Sequence, residues 1–456
     1  MKQLKYIYGI LIVAMLAISI TSCEDMLDID LPSNEMTKES VFVDSATIES
    51  AVNALYAQNF YNNPFYYYLV PYYGAVIADE SIHNVASLEV FNQNSYEEST
   101  AGIANIWTYA YQSVYLSNSL IVRLEGSTAI SEKRKEQFLS EAKFFRAYCY
   151  FILLNFYGDV PLILDIDYKE TMVQGRESTA TIYDRIITDL KEAEAGISGS
   201  SNKLNKVTQP AITALLARVY LYTKQWDKAE TKAGEVIANP SFGLEAVDNV
   251  FLRSSKETIL RMEDFLPYIG RTYWGGVYCR NANYNWLRDE LVNAFEAGDA
   301  RKDKWIGKIG TRTYYQSTKY KRTTNTTDIA LAEDHIFIRL AEMYLIRAEA
   351  RAHQDNLLPA ISDVNEIRRR ASLTDLPNTL SKADVLSAIE QERRVELFSE
   401  EAHRWWDLKR TGRIDAVLGA IADKSWKSYK ALWPIPETQR NYNPNLTPNP
   451  GYGAIN

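Results

Sequence analysis

The chain has 456 residues and a net charge of −8, with 46% hydrophobic and 24% charged residues. That length supports one large core or two fused lobes, and the acidic balance excludes a chain-wide basic footprint for nucleic acid.

In chain order, Lys2 and Lys5 open a short positive start, and residues 7–20 are almost wholly apolar. A bilayer span needs roughly 20 apolar residues, so this run reads as a secretion signal, residues 1–22, removed at the small residues Thr21 and Ser22. "ITSC" matches a bacterial lipobox and predicts lipidation at Cys23, with residues 23–45 as tether and leader. Acyl burial is worth about 0.8 kcal/mol per CH₂, so two or more chains would hold the protein to a membrane without embedding it. The other cysteines are Cys149, in the apolar run "RAYCYFILL", and Cys279. Cys149 is expected in the core, and spacing leaves pairing of the two open.

Beyond the tether the pattern is helical, in pairs. "SVFVDSATIESAVNALYAQNF" is expected to pack with "IWTYAYQSVYLSNSLIVRLE", and "EQFLSEAKFFRAYCYFILLNFYG" with "TIYDRIITDLKEAEAGI". Residues 37–41 and 179–183 begin helices behind polar caps. The clearest pair is "AITALLARVYLYTKQWDKAETKAGEVIANP". Leu216, Ala217 and Tyr220 on one helix and Ala229, Ala233 and Val236 on the next have the large-and-small spacing of tetratricopeptide units. "IRLAEMYLIRAEARAHQDNLLPAISDVNEIRRRA" repeats the plan, with Ala360, Val364 and Ile367 inward. Long irregular segments (60–100, 159–178 and 241–330) separate the pairs, with a short strand expected around "ETILRME". Irregular segments of that length are usually functional. The last stretch, "LWPIPETQRNYNPNLTPNPGYGAIN", holds five of the fourteen prolines, yet Trp433, Ile435, Leu446 and Tyr452 are spaced as anchors of an ordered, extended wrap.

These motifs, in this order, resemble the SusD/RagB family of outer-membrane nutrient-binding lipoproteins. The likeness runs from Cys23 and "LDIDLPSNEMTKESVF" through "SEAKFFRAYCYFILLNFYGDVPLI" and "YDRIITDLKEAEAGI". It continues through "FEAGDARKDKW", "IRLAEMYLIRAEA", "ERRVELFSEEAHRWWDLKRTGRI" and the proline-rich ending. One departure is "EEAHRWW", where relatives commonly have Glu-Gly-x-Arg; Ala402 and His403 alter a helix near packing contacts. The resemblance implies a mostly α fold, about four tetratricopeptide-like helix pairs against an irregular, loop-rich lobe with a few short strands. Residues 46–240 and 241–456 would form N- and C-terminal parts of one globular unit. It also implies a lipid-anchored, outward-facing protein that caps a SusC-like TonB-dependent transporter barrel and delivers an oligosaccharide, or in some relatives a peptide.

Sugar rings present apolar C–H faces edged by hydroxyls, so a binding loop needs flat aromatics beside hydrogen-bonding side chains. Three loops have that mixture. The first holds Tyr66, Tyr67, Tyr68, Tyr72 and Tyr73. The second holds Tyr273, Trp274, Tyr278, Tyr284 and Trp286 with Arg280, Asn281 and Asn283, and the third holds Trp305, Tyr314 and Tyr315. The second is the better candidate, because Gly275 and Gly276 let backbone approach a ligand. The expected contacts are Trp274, Tyr278, Asn281, Asn283, Tyr284 and Trp286, with Tyr72 and Tyr73. Replacing Trp274 and Trp286 by Ala is expected to weaken binding and leave the melting temperature nearly unchanged.

Enzyme signatures do not single out a site. Glycoside hydrolysis needs two carboxylates about 5–10 Å apart, and among 58 acids no pair stands out. Glu80/His83 and Glu400/His403 are Glu-x-x-His pairs, but a di-iron bundle needs two further inward glutamates on long helices, whereas Glu80 lies in a loop-like region and His403 precedes Trp405 and Trp406 on a packing face. The helix around "SEEAHRWWDLKR" is expected to bury Phe398, Ala402 and Trp405, with Arg393 and Arg394 paired to acids. No glycine-rich phosphate loop follows a strand. The basic stretch 301–322 reads as a solvated face or a contact for an acidic sugar, not as a nucleic-acid site. The expectation is a noncatalytic binder with no cofactor or metal. A tetratricopeptide adaptor for protein is the rival reading, and it would place its aromatics in a concave helical groove.

Overall fold

The computed structural model describes residues 42, 44–62, 68–197, 204–262, 269–279, 285–308 and 313–453. The lipidation site, Cys23, and the helix start at 37–41 lie outside them. So do Tyr66, Tyr67, Arg280, Asn281, Asn283 and Tyr284, and the side chain of Tyr278.

The architecture is mostly helical. In chain order come α1 (Ser45–Tyr56), α2 (Val70–Ile77), β1 (Ser81–His83), α3 (Ile103–Glu125), α4 (Glu132–Tyr157) and α5 (Thr179–Gly196). These lead to α6 (Gln209–Tyr222), α7 (Trp226–Ile237), β2 (Thr258–Met262), β3 (Asn285–Leu287), β4 (Ile306–Gly307), β5 (Gln316–Ser317) and β6 (His335–Arg339). Four longer helices follow, α8 (Leu340–His353), α9 (Leu357–Arg370), α10 (Lys382–Glu396) and α11 (His403–Arg410), and short helices at Ile414–Leu418 and Glu437–Tyr442 come after them. Helix starts follow short polar side chains: Asp44, Ser131, Ser178, Thr208 and Ser381 each accept a hydrogen bond from a first-turn backbone N–H. Three expected pairs pack together: α4 with α5, α6 with α7, and α8 with α9. The fourth differs, because α3 lies mainly along α4 and touches α1 only lightly. In α4 the 18 residues buried from Phe138 to Tyr157 leave little polar face in its second half, so it takes neighbours on several sides.

The strands form three two-stranded antiparallel pairs, β1–β3, β2–β6 and β4–β5. The expected strand at "ETILRME" is β2. One hydrophobic cluster runs from Ile48 to Tyr452 and takes side chains from both halves of the chain. The proline-rich tail is not extended throughout, since Glu437–Tyr442 is a short helix, but its expected anchors Trp433, Ile435, Leu446 and Tyr452 are all buried. Asn449 Nδ2 donates to the carbonyls of Tyr157 and Trp433, both at 2.7 Å, and fixes the tail against the end of α4.

Buried charge organises the second half. Glu396, at the end of α10, accepts from Arg301 at 2.8 Å, Arg339 at 2.6 Å and Arg370. Arg301 also reaches Glu392, Arg370 reaches Glu257, and Glu400 takes Arg339 and Lys319. Burial alone would raise the Glu396 carboxyl. The positive charges of Arg370, Arg339 and Arg301 outweigh that and hold it well below the usual carboxylate range. The basic stretch 301–322 is therefore not a solvated face throughout: Arg301 and Lys319 are interior members of this network, and Lys304 and Lys321 pair outside with Asp248.

The helix expected through "SEEAHRWW" is broken. α10 ends at Glu396 and α11 begins at His403, with Ser399 and Glu401 at φ 55° and 46° between them. Glu396, at the end of α10, and Glu400, within the break, both take Arg339, whereas Glu401 accepts from the Tyr148 hydroxyl at 2.5 Å. Phe398, Ala402 and Trp405 are buried as expected. Ala402 packs on α2 where Gly74 has no side chain, and a Cβ there would come within 2.3 Å of the Ala402 Cβ. Cys149 and Cys279 are buried and form no disulfide with each other, and burial pushes the Cys279 thiol far up.

Candidate functional site

The aromatic loops meet, but mostly as core. Tyr68 stacks on Tyr72 at 5.3 Å and meets Tyr273 edge-on at 5.7 Å, with Trp274 at 6.3 Å. Trp274 is 1% exposed, and its Nε1 donates to the Ser399 carbonyl at 2.9 Å. Tyr72 is 1% exposed. Tyr73 sits against Phe91 at 4.6 Å and Trp433 at 5.1 Å. The expectation that Trp274, Tyr72 and Tyr73 offer their rings to a ligand is thus corrected. Trp274 and Tyr73 each join segments far apart in sequence, Tyr72 packs among Tyr68, Tyr73 and His83, and burial of a large ring is the stronger use. Gly275 likewise admits a protein ring, since a Cβ there would lie 2.2 Å from the Tyr320 side chain.

Trp286 behaves differently. It stands on β3, where it pairs with Ile82 of β1, and it is half-buried. Its ring stacks on half-buried Tyr314 at 3.8 Å and 23°. The third loop is pinned beside it: Leu287 N donates to the Tyr315 carbonyl at 2.8 Å, and Gln316 Nε2 to the Asn285 carbonyl at 3.1 Å. Lys308 lies 4.9 Å from the Tyr315 ring centre. Two loops separated in sequence therefore share one stacked aromatic pair at the edge of the β1–β3 pair. Tyr314 was among the sequence candidates but not among the expected contacts; the pairing across strands is what the sequence does not display. Trp305, from the same loop, is fully buried and donates from Nε1 to the Val247 carbonyl.

The acid–histidine pairs are structural. The His83 backbone N donates to Asn92 Oδ1 and its carbonyl accepts from Asn92 Nδ2, and burial pushes its imidazole down to about 4, so it is neutral. His403 is buried and also held neutral. Among the described residues no group of three or more His, Cys, Asp or Glu is placed to hold a metal. Glu80 Oε2 accepts from Ser399 N at 3.3 Å, and burial, with the nearby charge of Asp79, raises its carboxyl to about 8. Its folded value lies above the unfolded 4.5, so its contribution is complete below pH 4.5 and lost as pH rises through 8. Glu80→Gln is expected to leave stability unchanged at pH 4 and raise it on the order of 1–3 kcal/mol at pH 8, read by urea unfolding at both pH values. A variant no more stable at pH 8 would show that Glu80 is ionised in the fold.

Comparison with known proteins sets this architecture among its relatives. The SusD family model matches residues 270–452, and a SusD-like model described as starch-binding, associating with outer membrane, matches residues 25–221. The chain belongs to the SusD/RagB family. A SusD-like protein of Formosa agariphila is 24% identical, over 96% of this chain and 98% of its own. The starch-binding protein SusD of Bacteroides thetaiotaomicron is 23% identical over 99% of both. Among solved structures, a SusD superfamily protein from Bacteroides vulgatus superposes with a TM-score of 0.78 at 21% identity, covering 90% of this chain and 100% of that one. A laminarin-binding SusD-like protein does so at 0.74 and 22%, with the same coverage. At these identities the structures establish a shared fold.

Proposed function

We propose that the protein is a noncatalytic, glycan-binding member of its family. In this reading it is anchored through lipidated Cys23 on the outer face of the outer membrane and passes oligosaccharide to a SusC-like TonB-dependent transporter. The observation that carries the glycan reading is the Trp286–Tyr314 stack, a half-buried flat platform beside a lysine and amide-bearing loops. Stacking supplies affinity for a sugar's C–H face, and neighbouring Asn and Gln groups orient its hydroxyls. Asn281, Asn283, Tyr278 and Tyr284 belong to the same loop and remain proposed contacts. The starch- and laminarin-binding descriptions of relatives agree with this ligand class.

The test is retention on immobilised laminarin, starch and other glycans, beside a peptide library. Trp286→Ala and Tyr314→Ala are each expected to weaken binding about tenfold or more, a loss in keeping with stacking and desolvation of one ring, while the melting temperature stays within about 2 °C. Trp274→Ala, by contrast, is expected to destabilise the fold. Glycan affinity unchanged in both platform variants, or retention of peptides alone, would reject the glycan reading.

A further inference from the structure

A cavity of about 1010 Å³ opens on the helical side of the molecule, and neither Trp286 nor Tyr314 lines it. The α6–α7 turn, the end of α8, α10 and α11 enclose it. Its wall is a chain of arginines and acids. Arg393 Nε donates to Asp407 at 2.7 Å, Asp407 also takes Arg410 at 2.8 Å, and Arg410 reaches Glu349 at 2.7 Å. Asp79 is held by Arg404 and Arg394, both at 2.7 Å. These carboxylates are therefore occupied, yet donors remain. Arg393 is 3% exposed, and both its Nη1 and Nη2 lack a hydrogen-bond partner among the described residues. Tyr222, 8% exposed, borders the same cavity with its hydroxyl equally unpartnered. A guanidinium is always charged, and buried donors of that kind are costly unless an acceptor meets them. At the rim, Trp226 lies flat on His353, ring centres 4.0 Å apart and planes 9° from parallel.

We infer that this cavity is a binding site for a carboxylate-bearing saccharide, such as a uronic acid unit, whose carboxylate is taken by Arg393 and Tyr222 while its ring lies near the Trp226–His353 stack. A carboxylate offers the paired acceptors that a guanidinium fork accommodates, and the available volume admits one or two sugar rings. An additional glycan would not fit the same logic without a charge, because the donors to be satisfied include a cation.

The test uses the full chain, titrated calorimetrically with sodium glucuronate, glucose, sodium acetate and sodium sulfate. Glucuronate is expected to bind at least about tenfold more tightly than glucose, the difference one charge-assisted contact makes, and more tightly than either simple anion. Trp286→Ala is expected to leave that binding unchanged, which separates this cavity from the platform. Arg393→Gln is expected to abolish it. Because Arg393 also holds Asp407, Tyr222→Phe provides the second variant: it keeps the ring and removes only the unpartnered hydroxyl, with an expected loss of about fivefold. Equal affinity for glucose, equal affinity for acetate or sulfate, or glucuronate binding unmoved by Tyr222→Phe would overturn the inference.

Discussion

Glu396→Gln is expected to lower stability by about 3–5 kcal/mol, or to prevent folding, because it breaks a buried ionic cluster while leaving its cations in place. The substitution keeps the shape of the side chain and removes the one carboxylate shared by Arg301, Arg339 and Arg370. All four side chains are nearly or wholly shielded from water, so solvent cannot take over the role. Glu392→Gln supplies the contrast. Burial raises the Glu392 carboxyl despite the opposing charge of Arg301, so an uncharged replacement there is expected to cost only about 1 kcal/mol. The pH dependence follows from the depressed value of Glu396. Its contribution is present above the unfolded 4.5 and lost as pH falls through the much lower folded value, so wild type and Glu396→Gln should converge in strong acid. Urea midpoints at pH 7 and pH 3 measure both effects, and equal losses for the two variants at pH 7 would contradict the assignment of Glu396 as the shared counter-charge.

The second large effect concerns the tail. Trp433→Ala is expected to cost about 3–5 kcal/mol, the range for removing a large aromatic side chain from a packed interior. Its ring is fully buried, 4.8 Å from Phe156, 5.1 Å from Tyr73 and 5.9 Å from Tyr96 and Tyr157, and its backbone N donates to the Phe156 carbonyl at 2.7 Å. Arg176 adds bonds to the carbonyls of Thr447 and Pro448, which hold the segment beyond. Trp433→Phe retains most of the contact and is expected to lose less than half as much. Thermal unfolding with a hydrophobic dye compares the variants; dye binding by Trp433→Ala at room temperature would show that the tail covers the end of α4. A melting temperature equal to wild type would mean that the tail is laid over an already complete core.

The helices were readable because their apolar spacing and polar caps are local, as at Ser178 and Thr208. The tail was readable for a related reason: anchors such as Trp433 and Tyr452 are too large and apolar to leave in water. The roles of the loop aromatics were not. Tyr72, Trp274 and Trp286 belong to similar local sequences, and only the partners decide among them: Tyr68 for the first, the Ser399 carbonyl for the second, Tyr314 for the third. Buried arginines were hidden likewise. Arg218 meets Glu342 across 124 positions, and Arg301 meets Glu396 across 95, so the sequence displays charges whose neutralising partners lie elsewhere. The break between α10 and α11 falls in a run with good helical spacing. It lets Glu400 share Arg339 with Glu396 while Glu401 meets Tyr148, contacts that no local propensity encodes.

Gly74 and Ala402 carry a consequence for anyone recombining this protein with its relatives. The hydrogen on one side and the methyl on the other fit as a tenon fits its mortise, across 328 positions of chain. A hybrid that brings a side chain to position 74 while keeping Ala402 inherits a collision, so the two sites must travel together through any such exchange.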